Sequence, residues 1–325
     1  FRAFGFHPME VWGPPKVDPV DGNIHFQAYT CGIVRHATSF ILQGGLDEVE
    51  VLLVPHTCDA LQGMGSAAKD FLELKQSVQT IYHPRQTRDC DLDFYVDEIR
   101  RLGEELGKIS GLQPSDADLH RAVEVEEKAD ALLAELARGR SKISLSDREF
   151  YTLLRSREYL FTEEWIELAE KAPRGPAPTK GVPLMISGIV VEPMSLFDDI
   201  NGMGAHIVAD DLAGCSRRAY GAYPDEKDPY RRMAKRLLYG PFDPSRGSPI
   251  PERCAGLANQ MLAVGARGML LYDVKFCEPE LFDVPQLRLH LEQRNLKLLH
   301  IEFDLADGLS QQTLTRIEAF VETLQ

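Results

Sequence analysis

The residues of this chain best suited to chemistry are six cysteines, at positions 31, 58, 90, 215, 254 and 277. They lie far apart and form no C-x-x-C pair, which excludes a local zinc ribbon and the ferredoxin run of ligands. Without a secretory context a disulfide framework is not expected. The thiols are therefore inert core residues, catalytic groups, or ligands gathered by the fold. Three of them occupy informative places. Cys58, in "VPHTCDALQGMGS" (54–66), follows an aliphatic run that stops at a proline, and Cys277, in "YDVKFCEPELFD" (272–283), follows another. Cys31 falls at the first turn of an expected helix, where the positive end of the helix dipole favours a thiolate. In open parallel sheets, ligands collect at the carboxyl ends of strands. The three together suggest a metal site, although a buried cysteine is by itself an ordinary core residue. Cys90, Cys215 and Cys254 have no such placement and are expected to be structural. His36 and His56 lie near the proposed thiol group in sequence and are candidate proton donors, with a packing role as the alternative.

Elements able to position such a group are legible on either side. In the last 145 residues, "GVPLMISGIVVEP" (181–193), "AHIVADDL" (205–212), "RGMLLYDVKF" (267–276) and "LKLLHIEF" (296–303) are short aliphatic runs separated by helical patterns. Continuous apolar runs alternating with amphipathic helices predict a parallel sheet covered on both faces. The last helix shows its period through Leu314, Ile317, Val321 and Leu324. The first 108 residues repeat the theme, with expected strands at 8–13, 49–55 and 80–84 and helices at 28–42, 65–75 and 92–106. Between the two lies an all-helical section. Ser115 with Asp118, and Ser146 with Glu149, read as helix-starting capping boxes, and Gly139 as a helix end. The three prolines of "APRGPAPTKG" (172–181) mark a linker. The expected architecture is α/β: two doubly wound, flavodoxin- or Rossmann-like parallel-sheet domains joined by a helical segment. Its expected divisions are 1–108, 109–172, a linker at 173–181, and 182–325.

Composition narrows the partners. The net charge of −14 argues against nucleic acid as the main partner. No apolar run approaches the roughly 18–20 residues needed to span a bilayer, and no signal-peptide pattern opens the chain, so a cytoplasmic protein is expected. Residues 217–253 nevertheless hold nine Lys/Arg against five acids, a basic island in an acidic chain. Such an island suits an anionic small molecule, or is simply a solvated helix face. Other motifs are thinner. "GMGSAA" (63–68) has the G-x-G-x-x-A spacing of a dinucleotide loop, but His83 stands where a ribose-binding acid belongs, so no nicotinamide site is expected. Asp210 and Asp211 end a strand and could either bind a metal or cap the next turn. There is no H-E-x-x-H, P-loop or G-x-S-x-G motif.

Five segments occur in order: "YTCGIVRHATSFI", "VPHTCDALQGMGS", "IVADDLAGCSRRAY", "VKFCEPELFDVPQL" and "LTRIEAFVETL". Together they resemble the subunits of the 2-hydroxyacyl-CoA dehydratase and benzoyl-CoA reductase family, over nearly the whole chain. Gly32 stands where the family often has serine, and Cys215 is offset from the position where some relatives carry cysteine. Family members usually have a segment ahead of the point where this chain begins, so such a segment is expected here.

The resemblance implies that Cys31 (family pattern C-S-x-V-R), Cys58 (T-C-D) and Cys277 (F-C-D/E) bind one [4Fe–4S] cluster with one iron left without a cysteine ligand. It implies a dehydratase subunit that uses a low-potential electron to make a ketyl radical from a 2-hydroxyacyl-CoA thioester. A benzoyl-CoA reductase subunit is the alternative. A double-cubane or electron-transfer protein lacking an acyl-CoA site is a further one, although Cys90, Cys215 and Cys254 do not fall on the double-cubane pattern. The implied partners are a homologous second subunit and an ATP-dependent activator with its own [4Fe–4S] cluster as electron donor. Within the basic island, Arg217 and Arg218 follow a strand end and are the candidates for the CoA phosphates.

Overall fold

A computed structural model describes the whole chain except residues 15, 179 and 223–225, so parts of the expected linker and basic island lie outside the described residues. Helices α1 (Val20–His25) and α2 (Gly32–Leu42) lead into β1 (Val51–His56), α3 (Asp59–Asp70), β2 (Ser77–Tyr82) and α4 (Asp89–Ser110). Helices α5 (Asp116–Arg138), α6 (Asp147–Arg155) and α7 (Thr162–Glu170) follow without an intervening strand. The remainder runs β3 (Val182–Gly188), α8 (Leu196–Gly202), β4 (Ala205–Leu212), α9 (Pro229–Leu238), α10 (Ile250–Val264), β5 (Gly268–Val274), α11 (Glu278–Glu292), β6 (Lys297–Phe303) and α12 (Gln311–Glu322).

The result is an α/β fold with two parallel sheets interleaved with helices. The C-terminal sheet has the order β4-β3-β5-β6, with every neighbouring pair parallel. The chain moves from β3 outward to β4, then returns to the other side of β3, so the order reverses between β3 and β5. Both faces are covered, as continuous apolar runs require. On one face Met269 and Leu271 of β5 pack with Leu257 and Met261 of α10 and Leu287 and Leu291 of α11. On the other, Leu270, Tyr272 and Val274 join Ile317 and Val321 of α12, Leu324 just beyond it, and the helical section. Gly188 ends β3 at φ 145°, and a Cβ there would stand 2.2 Å from the Tyr272 carbonyl oxygen. Only glycine permits that approach of two strand ends.

The N-terminal region is simpler than expected. Its sheet has two strands among the described residues, with Val51 opposite Ser77 and His56 opposite Tyr82. The expected strand at 8–13 is not one. Pro8 and Pro14 bracket it, and a run between prolines loses ladder donors and finds no partner. Its Glu10 N–H instead donates to the Glu158 carbonyl at 3.1 Å. The glycines of "GMGSAA" lie inside α3, which already starts at Asp59, so no glycine loop forms there. Gly65 leaves room for the His56 ring, whose Nε2 would stand 2.5 Å from a Cβ there.

Both predicted capping boxes form, at Ser115 with Asp118 and at Ser146 with Glu149. One apolar core runs through both sheets and the helices between them. It includes Val34 of α2, Val54 of β1, Leu133 of α5, Trp165 of α7 and Leu184 of β3. Asp147 fastens the helical section to the C-terminal sheet: its buried carboxylate accepts from Arg140 at 2.7 Å, Asn201 Nδ2 at 2.7 Å and the Ile207 N–H at 2.8 Å. Removing it leaves a buried guanidinium unpaired, so Asp147→Ala is expected to cost about 3–5 kcal/mol. Urea unfolding of the two proteins, compared at equal slope, measures that loss.

Candidate metal centre

Cys31, Cys58 and Cys277 are each the N-cap residue of a helix, respectively α2, α3 and α11. Cys58 lies two residues beyond β1 and Cys277 three beyond β5, so the carboxyl ends of both sheets deliver a thiol to a helix start. An N-cap side chain looks onto backbone N–H groups without intrahelical partners. None of the three side chains makes a cap hydrogen bond, but the amides of Val34 and Ile33 favour ionisation of Cys31, those of Leu61 and Ala60 that of Cys58, and that of Glu280 that of Cys277.

These amides oppose a larger effect. Burial pushes the Cys31 thiol up to about 11, with the neighbouring Cys58 adding to the rise. Burial likewise raises Cys58, and raises Cys277 well above the ordinary thiol range, helped by Glu280 and Cys31. The thiols are thus close enough to oppose one another's ionisation, and without a cation they remain protonated. A positive centre would reverse that balance and release the protons.

The three cysteines line one pocket of about 170 Å³ with Tyr29, Thr30, Asp59, Ala60, Phe276, Glu278 and Pro279. Every lining residue belongs to one of the three helix starts or the turn before it. Among the described residues, no three His, Cys, Asp or Glu groups converge tightly enough for a single metal ion. Tyr29 and Phe276 form the pocket's aromatic rim, 61% and 37% exposed. Phe276 adopts φ 64°, a left-handed conformation that costs a non-glycine residue roughly 1–2 kcal/mol. That conformation turns the chain off β5, and the Cys277 N–H closes the turn on the Val274 carbonyl at 3.0 Å. The rim was missed in the sequence, where only the adjacency of Tyr29 to Cys31 and Phe276 to Cys277 pointed to it.

Other expected site residues are placed differently. Neither His36 nor His56 lines the pocket. The ring nitrogens of both are buried without a hydrogen-bond partner among the described residues, and burial holds both below the usual histidine range. Arg217 is 2% exposed, its guanidinium held by Asp211 and Glu280, and it is turned away from any phosphate in solvent. The reason is the strand end it follows, which turns it inward against β4. Arg218 pairs with Glu10 at 2.6 Å. Asp210 caps the turn, accepting from the N–H groups of Leu212 and Ser216. Asp211 is an arginine partner. Cys90, Cys215 and Cys254 are absent from the pocket. No described helix is long and apolar enough to cross a membrane.

A family model described as 2-hydroxyglutaryl-CoA dehydratase, D-component, matches residues 1–324. The chain belongs to that family. Among D-component relatives, the (R)-phenyllactyl-CoA dehydratase beta subunit of Clostridium sporogenes is 26% identical, over 99% of this chain and 87% of its own length. The beta subunit of lactoyl-CoA dehydratase from Anaerotignum propionicum is also 26% identical, over 99% of this chain and 88% of its own. A benzoyl-CoA reductase subunit from Thauera aromatica is 24% identical, over 98% of this chain and 85% of its own.

Because the Cys31 thiol is raised from about 9 to about 11, the folded metal-free D-component chain holds a proton there that the unfolded chain releases. That contribution to stability is full below pH ~9 and is lost as pH rises through ~11. Two units correspond to about 2–3 kcal/mol. Urea unfolding between pH 8 and 11 is expected to show a smaller alkaline loss, by about that amount, in Cys31→Ala than in the unsubstituted chain.

Proposed function

We propose that this chain is the iron–sulfur subunit of a 2-hydroxyacyl-CoA dehydratase-type enzyme, with Cys31, Cys58 and Cys277 as ligands of one [4Fe–4S] cluster. The observation that carries the reading is that three cysteines at helix N-cap positions, two early in the chain and one late, line one pocket. The donor set fits: three cysteines line one pocket of about 170 Å³, with Tyr29 and Phe276 at its edge. A cluster with three thiolates keeps one iron open, as catalytic metal sites do. Bound there, it supplies a single low-potential electron to the thioester carbonyl of a 2-hydroxyacyl-CoA.

The chain's own residues have defined tasks in this reading. The amides at the three helix starts hold the thiolates and stabilise negative charge on them. Phe276 and Tyr29 restrict water at the mouth. Thr30, Asp59 and Glu278 are the polar groups at hand for orienting a bound thioester. The enzyme is completed by a homologous partner chain, as the beta-subunit names of the relatives suggest, and an ATP-dependent activator in the cytoplasm is the electron donor. Membership of a benzoyl-CoA reductase is the second reading, favoured by the match to the Thauera protein along nearly all of both chains.

Iron and acid-labile sulfide, measured after strictly anaerobic purification, test the ligand set. The expected result is about four of each per chain, lost in Cys31→Ala, Cys58→Ala and Cys277→Ala and kept in Cys90→Ala and Cys254→Ala. Iron that also requires Cys90 or Cys254 would point to a double cubane. No iron in any preparation removes the proposed chemistry.

A further inference from the structure

Beneath α11 lies a buried ionic group that no part of the proposed chemistry uses. Arg217 reaches Asp211 through Nε at 3.0 Å and Nη2 at 2.9 Å, and Glu280 through Nη1 and through Nη2 at 3.2 Å. Arg253, on α10, donates to Asp211 at 2.7 Å, Asp283 at 2.8 Å and Glu280 at 3.4 Å. The side chains of both arginines are 1% exposed and that of Glu280 is 0%. Burying such charges is costly, so fixed geometry rather than stability is the return expected from them. The group joins the carboxyl end of β4 to the first turns of α10 and α11. Two guanidinium groups face three carboxylates here, and Glu280 is the third residue of α11, whose N-cap is Cys277 and whose first turn closes on it through the Leu281 N–H and the Cys277 carbonyl at 3.1 Å.

We propose that Glu280, clamped between Arg217 and Arg253, is the positioning residue for Cys277. It fixes the first turn of α11, and thereby the N-cap residue that carries the sulfur, and holds a buried carboxylate three residues from it. The inference rests on the cluster reading of the pocket. Asp283 belongs to the same group but engages Arg253 alone among the two arginines. It therefore separates loss of a charge from loss of the clamp.

The test compares the full chain with Glu280→Gln and Asp283→Asn, each reconstituted anaerobically with iron and sulfide and matched for iron content. Redox titration followed by electron paramagnetic resonance gives the readout. In Glu280→Gln the midpoint potential is expected to rise, because a buried negative charge no longer opposes reduction, and the line shape of the reduced signal is expected to change. Asp283→Asn is expected to shift the potential less and keep the line shape. Equal shifts in the two variants, or none in Glu280→Gln, would overturn the proposal. If Glu280→Gln does not fold, Arg217→Lys replaces it, keeping the charge but losing the two-pronged hold. A changed line shape then supports the proposal, and an unchanged one overturns it. If the unsubstituted chain takes up no iron, the cluster reading fails on its own. Hydrogen exchange of the metal-free chain then decides: faster exchange at the Cys277, Glu278 and Glu280 amides in Glu280→Gln alone keeps the positioning role, and unchanged exchange removes it.

Discussion

The site depends on one balance: thiols buried at helix starts, where desolvation disfavours their charge and unpartnered amides favour it. In the metal-free chain desolvation wins, as the raised Cys31, Cys58 and Cys277 thiols show. The amides alone do not supply enough positive potential to ionise three neighbouring sulfurs in a dry pocket. They do lower the cost once a cation takes part. In the proposed reading, the thiol protons leave as the cluster is bound.

Holding three helix starts together is a problem of tertiary structure. Cys31 and Cys58 belong to the first 60 residues and Cys277 to the last 50, so the pocket exists only because the two sheets share a core. Val34 in α2 is buried in the same cluster as Val274 at the end of β5. A Cβ on Gly32 would meet Val274 at 3.4 Å, an ordinary contact, so the departure from serine at this position leaves the approach of α2 to β5 intact. The buried ion pairs add direction to this apolar packing. Hydrophobic burial tolerates small rotations of a helix about its axis, whereas two-pronged arginine contacts do not. Arg217 and Arg253 therefore set how α11 presents its first turn, and the left-handed Phe276 sets how the chain enters it.

Much of this was legible in the sequence. The four strands of the C-terminal sheet announced themselves as short aliphatic runs, most plainly in β5, which is buried along its whole length, and the capping boxes at Ser115 and Ser146 did so because their chemistry is local. Cys58 and Cys277 could be placed after strands, and Cys31 at a helix start, for the same reason. Other features were not legible. The run at 8–13 has strand composition, but a strand needs a partner, and none is encoded locally. Arg217 has the composition of a phosphate ligand. Its burial against Glu280, 63 residues away, follows from where α11 lands on the sheet.

The sequence by itself thus determined the elements, their caps and the residue types at their ends, since propensity, periodicity and capping act over a few residues. Only the tertiary structure decided that three of those ends meet around one pocket, that the basic island turns Arg217, Arg232 and Arg253 inward, and that His36 and His56 lie outside the lining. Those outcomes depend on sheet order and on packing between residues tens to hundreds of positions apart, which no local pattern carries.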